Sequence, residues 1–256
     1  MGYWGETSFT QFFKNKGSDC MRNNIDFNKI SNLDELFEKW KQEHSEENDY
    51  QKTTVEKIEK NSFVADGYIY ENQYRNSKTK ILFVLKEANI ADYLNKQNNA
   101  DERNQYGFYR SYIEENNGLN NPKQQEKMAR MAYCILNSSE SQMNLSHSQI
   151  ANSLGCCSFM NINKRGGANS TNNKVMNAYI EKYKCYIDKE IELLNPDVII
   201  YVGKTMYKYS KSDRPTQIQM WHTAYPMPKQ ERFPDDLRYS SDQNVDLYIR
   251  HFAELL

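Results

Sequence analysis

The sequence predicts an α/β fold with a parallel sheet covered on both faces. Ile81–Leu85 and Val198–Val202 are unbroken apolar runs, the pattern of strands buried on two sides rather than one. A shorter run, Cys157–Met160, ends at Asn161 and predicts a further strand. Helical periodicities separate the runs, and strands alternating with helices call for parallel pairing through crossovers.

The elements follow in order. Roughly the first 25 residues are rich in Gly and Asn and predict an irregular arm. Asn32 stands as a helix cap with Glu35 in capping-box position, and Leu33, Leu36, Phe37 and Trp40 fall on one helical face. Gln42–Thr53 is polar, with His44 inside it, and a second helical pattern runs through Val55 and Ile58. After the first strand, residues 92–126 are polar and flecked with aromatics, which predicts a functional surface loop carrying short helices. Met128, Met131, Ala132 and Ile135 mark the next helix, and Gly166–Asn173 is a loop by composition. Val175, Tyr179, Tyr183, Ile187, Ile191 and Leu194 line one face of a long helix that Asn195-Pro196 stops. Gly203 turns the chain after Val198–Val202, a weaker strand at Gln217–Trp221 leads to His222, and Val245, Tyr248, Ile249, Phe252 and Leu256 predict a terminal helix. No internal repeat is visible. The expected organisation is an N-terminal arm and helical extension over residues 1–62 and one α/β domain over residues 63–256.

Composition narrows the function classes. Aromatic residues make up 13% of the chain, too much packing material for a disordered protein despite a mean hydropathy of −0.92. The apolar runs are too short to cross a bilayer and no basic-then-apolar leader opens the chain, so a cytoplasmic protein without membrane contact is expected. The charges cancel, 33 basic against 34 acidic, so any contact with nucleic acid must come from a local patch. Cys20, Cys134, Cys156, Cys157 and Cys185 form no C-x-x-C, and no two histidines have metal-ligand spacing. Reduced thiols, no metal and no cofactor are expected.

In a parallel sheet chemistry gathers where the strands end, here Lys86–Asn89, Asn161–Gly167, Gly203–Thr205 and His222–Tyr225. Glu87 suits a carboxylate that holds a water or a developing positive charge; the plainer reading is a first-turn helix residue or a partner for Lys86. Asn161 offers one acceptor and two donors, enough to read the edge of a base or an amide. Lys164 and Arg165 beside Gly166-Gly167 suit a phosphate, and the alternative is an ordinary turn with solvated charges. Val202-Gly203-Lys204-Thr205 lacks the first glycine of a P-loop, since position 198 is Val, and a nucleoside triphosphatase is rejected. His222 suits a general acid or hydrogen-bond donor, or a structural loop histidine. Cys156-Cys157 reads as core packing, with no cationic neighbour to activate a thiol.

Taken in order, these segments resemble the uracil-DNA glycosylase superfamily. Val84-Leu85-Lys86-Glu87-Ala88-Asn89 resembles its first motif, of the GQDPY or GEAPG type, with Glu87-Ala88 matching Glu-Ala. Phe159-Met160-Asn161-Ile162-Asn163-Lys164 resembles the Asn-x-x-Lys segment of the bacterial and archaeal branch. Pro196–Gly203 resembles a Pro-led strand ending in Gly, and His222-Thr223-Ala224 stands where the family has His-Pro-Ser.

The resemblance spans roughly residues 64–252. It implies a three-layer α/β/α sandwich around a short, mostly parallel four-stranded sheet. It further implies a DNA glycosylase-like enzyme that hydrolyses the N-glycosidic bond of uracil or another modified base in DNA, taken single-stranded or flipped from a duplex. Glu87 and His222 would be catalytic and Asn161 would read the base. Phe108 would stack on it, with Tyr106 second, and Ala88 and Asn89 would line the base site. Lys164, Arg165, Gly166, Gly167 and Lys204 would meet phosphates. Ala88 stands where GQDPY-type members carry a water-positioning Asp, Asn89 replaces Pro, and Thr223-Ala224 replaces Pro-Ser. These departures keep open a non-catalytic nucleobase or nucleic-acid sensor, and thirdly a small-nucleotide enzyme or a protein-interaction module.

Overall fold

A computed structural model describes residues 21–22, 25–48, 58, 60–90, 110, 113–114, 122–137, 146–167, 170–203, 207–210 and 215–220. A short ribbon of β1 (Met21–Arg22) and β2 (Ile25–Asp26) precedes α1 (Leu33–Glu46), β3 (Gly67–Tyr68), α2 (Glu71–Asn76) and β4 (Ile81–Asn89). Then come α3 (Pro122–Leu136), α4 (His147–Gly155), β5 (Cys157–Gly167), α5 (Asn173–Leu194), β6 (Val198–Val202) and β7 (Thr216–Met220). The fold is mixed α/β. Its sheet has five strands in the order β3-β5-β4-β6-β7, one more than expected; the last four are mutually parallel and β3 runs antiparallel along β5. A strand of 2 residues carries no periodicity to read, and Gly67 adopts φ 126°, a region open to glycine.

Alternation along β4 divides the core. Ile81, Phe83 and Leu85 pack with Met128, Met131, Ala132 and Leu154 of α3 and α4. Leu82 and Val84 pack with Phe37 and Trp40 of α1 and with Tyr183 and Ile187 of α5. The residue 62 boundary therefore separates no second core: α1, expected in an extension, lies in the same hydrophobic cluster as β4, β5 and β6. Trp40 stacks on Tyr186 at 5.2 Å between ring centroids. His44, expected in a polar linker, is in the last turn of α1 and fully buried, with Nε2 at 2.9 Å from the Tyr179 hydroxyl.

Local chemistry sets the helix ends. The Asn32 side chain accepts from the Glu35 N–H at 2.8 Å, while the Glu35 carboxylate reaches back to the Ser31 N–H at 3.3 Å, closing the box one residue early. Asn172 accepts from the N–H groups of Lys174 and Val175 to start α5, and Asn195 ends it in the left-handed region at φ 47°. Cys157 is buried, and burial pushes its thiol well above the ordinary range, which fits packing. Cys134, Cys156 and Cys157 are free thiols, but Cys185 is disulfide-bonded, against the expectation of five reduced cysteines.

The expected loop at Asn161–Gly167 is instead the second half of β5, buried along all 11 residues. Polar side chains continue the strand because each meets a partner from a distant segment. No helix among the described residues is long and apolar enough to cross a membrane.

Candidate functional site

The chain passes from β4 to β5 on one side of β4, then from β5 to β6 on the other. In open α/β sheets ligands commonly bind beyond the carboxyl ends of the strands where such a reversal occurs, here between β4 and β6. Gly203 ends β6 there with φ 82°, its N–H donating to the Met220 carbonyl at 2.8 Å.

Two of the predicted segments meet. Cross-strand register pairs Leu85 with Asn161 and Glu87 with Asn163, then Asn89 with Gly167 after an irregularity. Glu87 is half-buried and accepts from Asn163 Nδ2 at 3.1 Å. Burial pushes its carboxyl above the ordinary value, against the opposing pull of hydrogen bonds from Thr171 and Asn163 and of the Lys86 charge. It is a strand residue, not the first turn of a helix. A carboxyl with a raised pKa at a strand exit suits a group that takes up and releases a proton.

Gly167 lies against this carboxyl. A Cβ on Gly167 would fall 2.4 Å from Glu87 Cδ, so the Glu87 side chain lies directly across that backbone. Gly166 adopts φ 83°, and a Cβ there would meet Ile90 Cδ1 at 2.8 Å. Ala88, expected beside the base, instead packs with Ile58, Val64 and Ile90 in a small apolar cluster. Asn89 is exposed.

Asn161 is buried. Its backbone N–H donates to Asp66 Oδ2 at 2.6 Å and its Nδ2 donates to the same oxygen at 3.3 Å. Its Oδ1 is buried with no hydrogen-bond partner among the described residues. Asn163, by contrast, is fully used: Nδ2 goes to Glu87, and Oδ1 accepts from the Arg165 N–H at 3.0 Å. Of the two amides only Asn161 presents an acceptor without a partner, and buried acceptors are seldom left so.

The phosphate contacts expected of Lys164 and Arg165 are corrected by their burial. Lys164 is 0% exposed; its Nζ lies 2.5 Å from Asp66 Oδ1 and 2.9 and 2.8 Å from the two oxygens of Glu190, above the rings of Phe37 and Trp40. Glu190 is fully enclosed, and burial holds its carboxyl well above the ordinary range, the Asp66 charge adding to the push while Lys164 opposes it. Arg165 donates to the Lys60 carbonyl at 2.7 Å, to Glu47 and to the Tyr183 hydroxyl. Glu47 also accepts from Lys182 at 2.7 Å. Burial pushes the Glu47 carboxyl up, but hydrogen bonds from Lys182 and Tyr183 and the Arg165 charge outweigh it and leave it below its ordinary value. Both cations are committed inside the fold.

Tyr106, Phe108, Lys204 and His222 lie outside the described residues. His222 follows β7 by two positions, and β7 stands three strands from β5, about 14 Å at the usual spacing. Sequence reasoning missed Asp66, Asn163, Thr171 and Glu190. A readable signal existed for two of them: Asp66 ends the run Phe63-Val64-Ala65, and Glu190 interrupts the apolar stripe of Ile187, Ile191 and Leu194. Among the described residues no cluster of His, Cys, Asp and Glu could hold a metal. Compared with protein-family models, curated proteins and solved structures, the chain matches none.

Proposed function

We propose that the chain is a uracil-DNA glycosylase-like protein, a three-layer α/β/α sandwich that hydrolyses the N-glycosidic bond of uracil or another deaminated or modified base in DNA. One observation carries the reading: Glu87, an acid whose burial raises its pKa, and Asn161, an amide with a buried acceptor that has no partner among the described residues, stand on the adjacent strands β4 and β5. Breaking the bond builds positive charge on the sugar and negative charge on the departing base. Glu87, once ionised, faces the former or orients the attacking water, and Asn161 holds the base edge. His222 and an aromatic from the loop containing Phe108 are the partners still to be assigned. Because Lys164 and Arg165 are committed internally, DNA phosphates must be met by other cations, Lys204 among them.

A second reading is a non-catalytic nucleobase binder on the same fold. It is favoured by Ala88, which is buried among apolar groups where an acid would hold water. Single- and double-stranded oligonucleotides containing uracil, hypoxanthine or xanthine, incubated and then treated with alkali, separate the two. The glycosylase reading expects strand breaks at the modified base, reduced about 100-fold or more by Glu87→Gln and at least about tenfold by Asn161→Ala. Binding without breaks, abolished by Asn161→Ala, supports the second reading. Neither binding nor breaks refutes both.

A further inference from the structure

The side chain of Asn163 can be turned only one way. Its Oδ1 accepts from the Arg165 backbone N–H at 3.0 Å, a bond that only the oxygen end of an amide makes, so the NH2 end points away from it. That end meets Glu87 Oε2 at 3.1 Å, because parallel register sets Glu87 of β4 beside Asn163 of β5. Asn163 is buried and Glu87 half-buried. An amide NH2 donates and has no lone pair to accept with, so it serves Glu87 as a carboxylate and offers nothing to the O–H of the acid form. Thr171, the other hydrogen-bond partner of Glu87, carries a hydroxyl that rotates to suit either form. Lys86, next along β4, adds its charge in favour of the carboxylate. The cations of β5 are turned elsewhere, Lys164 to Asp66 and Glu190 and the Arg165 guanidinium to Glu47, Tyr183 and the Lys60 carbonyl.

We propose that Asn163 is the positioning residue for Glu87: fixed by the Arg165 N–H, its amide holds the Glu87 side chain in place across Gly167 and favours the carboxylate over the acid. This rests on the reading of Glu87 as a group that acts in base release. Burial drives the Glu87 carboxyl toward its protonated form, and Asn163 opposes that drive with a donor that cannot turn round. Asn163 therefore sets the lower pH limit of the reaction without touching the substrate. The two parts of its amide do different work: Oδ1 shapes the backbone of β5, and Nδ2 tunes the acid.

Asn163→Asp separates these two parts. The substituted side chain still accepts from the Arg165 N–H, as aspartate does in such turns, but it sets a second acid against Glu87 in place of the donor. In protein labelled with 13C at the glutamate carboxyls, the Glu87 resonance is identified by its loss in Glu87→Gln. In Asn163→Asp the last proton of the pair should leave at least about one pH unit above the midpoint of Glu87 in the parent. The acid limb of base release, followed by alkali cleavage of uracil-containing oligonucleotide, should move up with it. Asn163→Leu removes the donor without adding charge and should shift both in the same direction. In the parent labelled with 15N at asparagine, the Asn163 NH2 signals, assigned by their loss in Asn163→Leu, should follow the Glu87 titration. NH2 signals that ignore that titration overturn the proposal, whether or not the variants fold. A Glu87 midpoint unmoved in Asn163→Asp also overturns it, as does an acid limb that stays in place while the midpoint moves. A shifted midpoint with no strand breaks made by the parent supports the positioning role and refutes the glycosylase reading alone.

Discussion

Replacing Lys164 with Met tests whether this residue holds the interior or contacts DNA. The side chain is completely enclosed, so the substitution keeps its bulk and removes only the charge and its hydrogen bonds. Asp66 and Glu190, which both bond to the ammonium, then face each other with no cation between them. Removing one member of a buried ion pair costs about 3–5 kcal/mol, since the remaining charge keeps its desolvation penalty. At about 2–4 °C per kcal/mol for a chain of this size, the midpoint of thermal unfolding should fall by roughly 6–20 °C. Two controls follow from the same chemistry. The loss should shrink as the pH falls, because the buried Glu190 carboxyl, raised well above its ordinary value, then holds its proton, and Lys164→Met with Asp66→Asn should recover much of it because Glu190 can then stay neutral. Circular dichroism melts at pH 5 and pH 8 measure this directly. A Lys164→Met protein that melts within about 2 °C of the parent, yet binds oligonucleotides with a shallower salt dependence, would refute the buried role and restore the phosphate contact.

Gly167→Ala should displace the Glu87 carboxyl from Asn163 and lower base release about as far as Glu87→Gln, at a stability cost of roughly 1–3 kcal/mol; equal activity in an alkali-cleavage assay would detach the glycine from the site. Burial, with the charges of Arg165 and Lys182 adding to it, holds His44 neutral far below its ordinary value of 6.5. The unfolded chain therefore binds a proton that the folded chain refuses, and stability from this group is present above pH 6.5 and lost below it, at up to about 1.4 kcal/mol per pH unit. Glu190 works in the opposite sense, gaining stability as pH falls from its raised value toward 4.5, so the informative quantity is the difference between the parent and His44→Gln in urea unfolding across pH 5–7. Identical slopes would show that His44 takes up its proton in the fold. For base release itself, the rate should rise with pH through a value above 4.5, the ordinary position of a glutamate, because Glu87 acts when ionised and its carboxyl is raised; an acid limb that persists in Glu87→Gln would assign it elsewhere.

The parts of the fold that depend on neighbours in sequence were legible. Val198–Val202 and Ile81–Leu85 announce central strands by unbroken burial, and the spacing from Tyr179 to Leu194 with Asn195-Pro196 defines α5 from one end to the other. What escaped depends on partners far along the chain. Asn161-Ile162-Asn163-Lys164-Arg165 reads locally as a polar turn, and only Asp66, Glu47 and Glu190, separated from their partners by 98, 118 and 26 positions, make it a buried strand. The same blindness placed α1 outside the domain, because an amphipathic helix declares that it covers something without saying what. At the candidate site, strand-end logic and the order of motifs point to Glu87 and Asn161. Of the residues that hold them, Asn163 carries no local mark of that role, and Asp66 only its place at the end of the run Phe63-Val64-Ala65.

The embrace of Arg165 by Glu47 has a practical side. Shortened chains that start after residue 48 would lose the Glu47 carboxylate that meets the Arg165 guanidinium, and would carry an open slot between Tyr179 and Tyr186 where the Trp40 indole belongs. Such fragments should be recovered as aggregates rather than as a working core, and recombinant work on this protein has to carry its amino-terminal helix along.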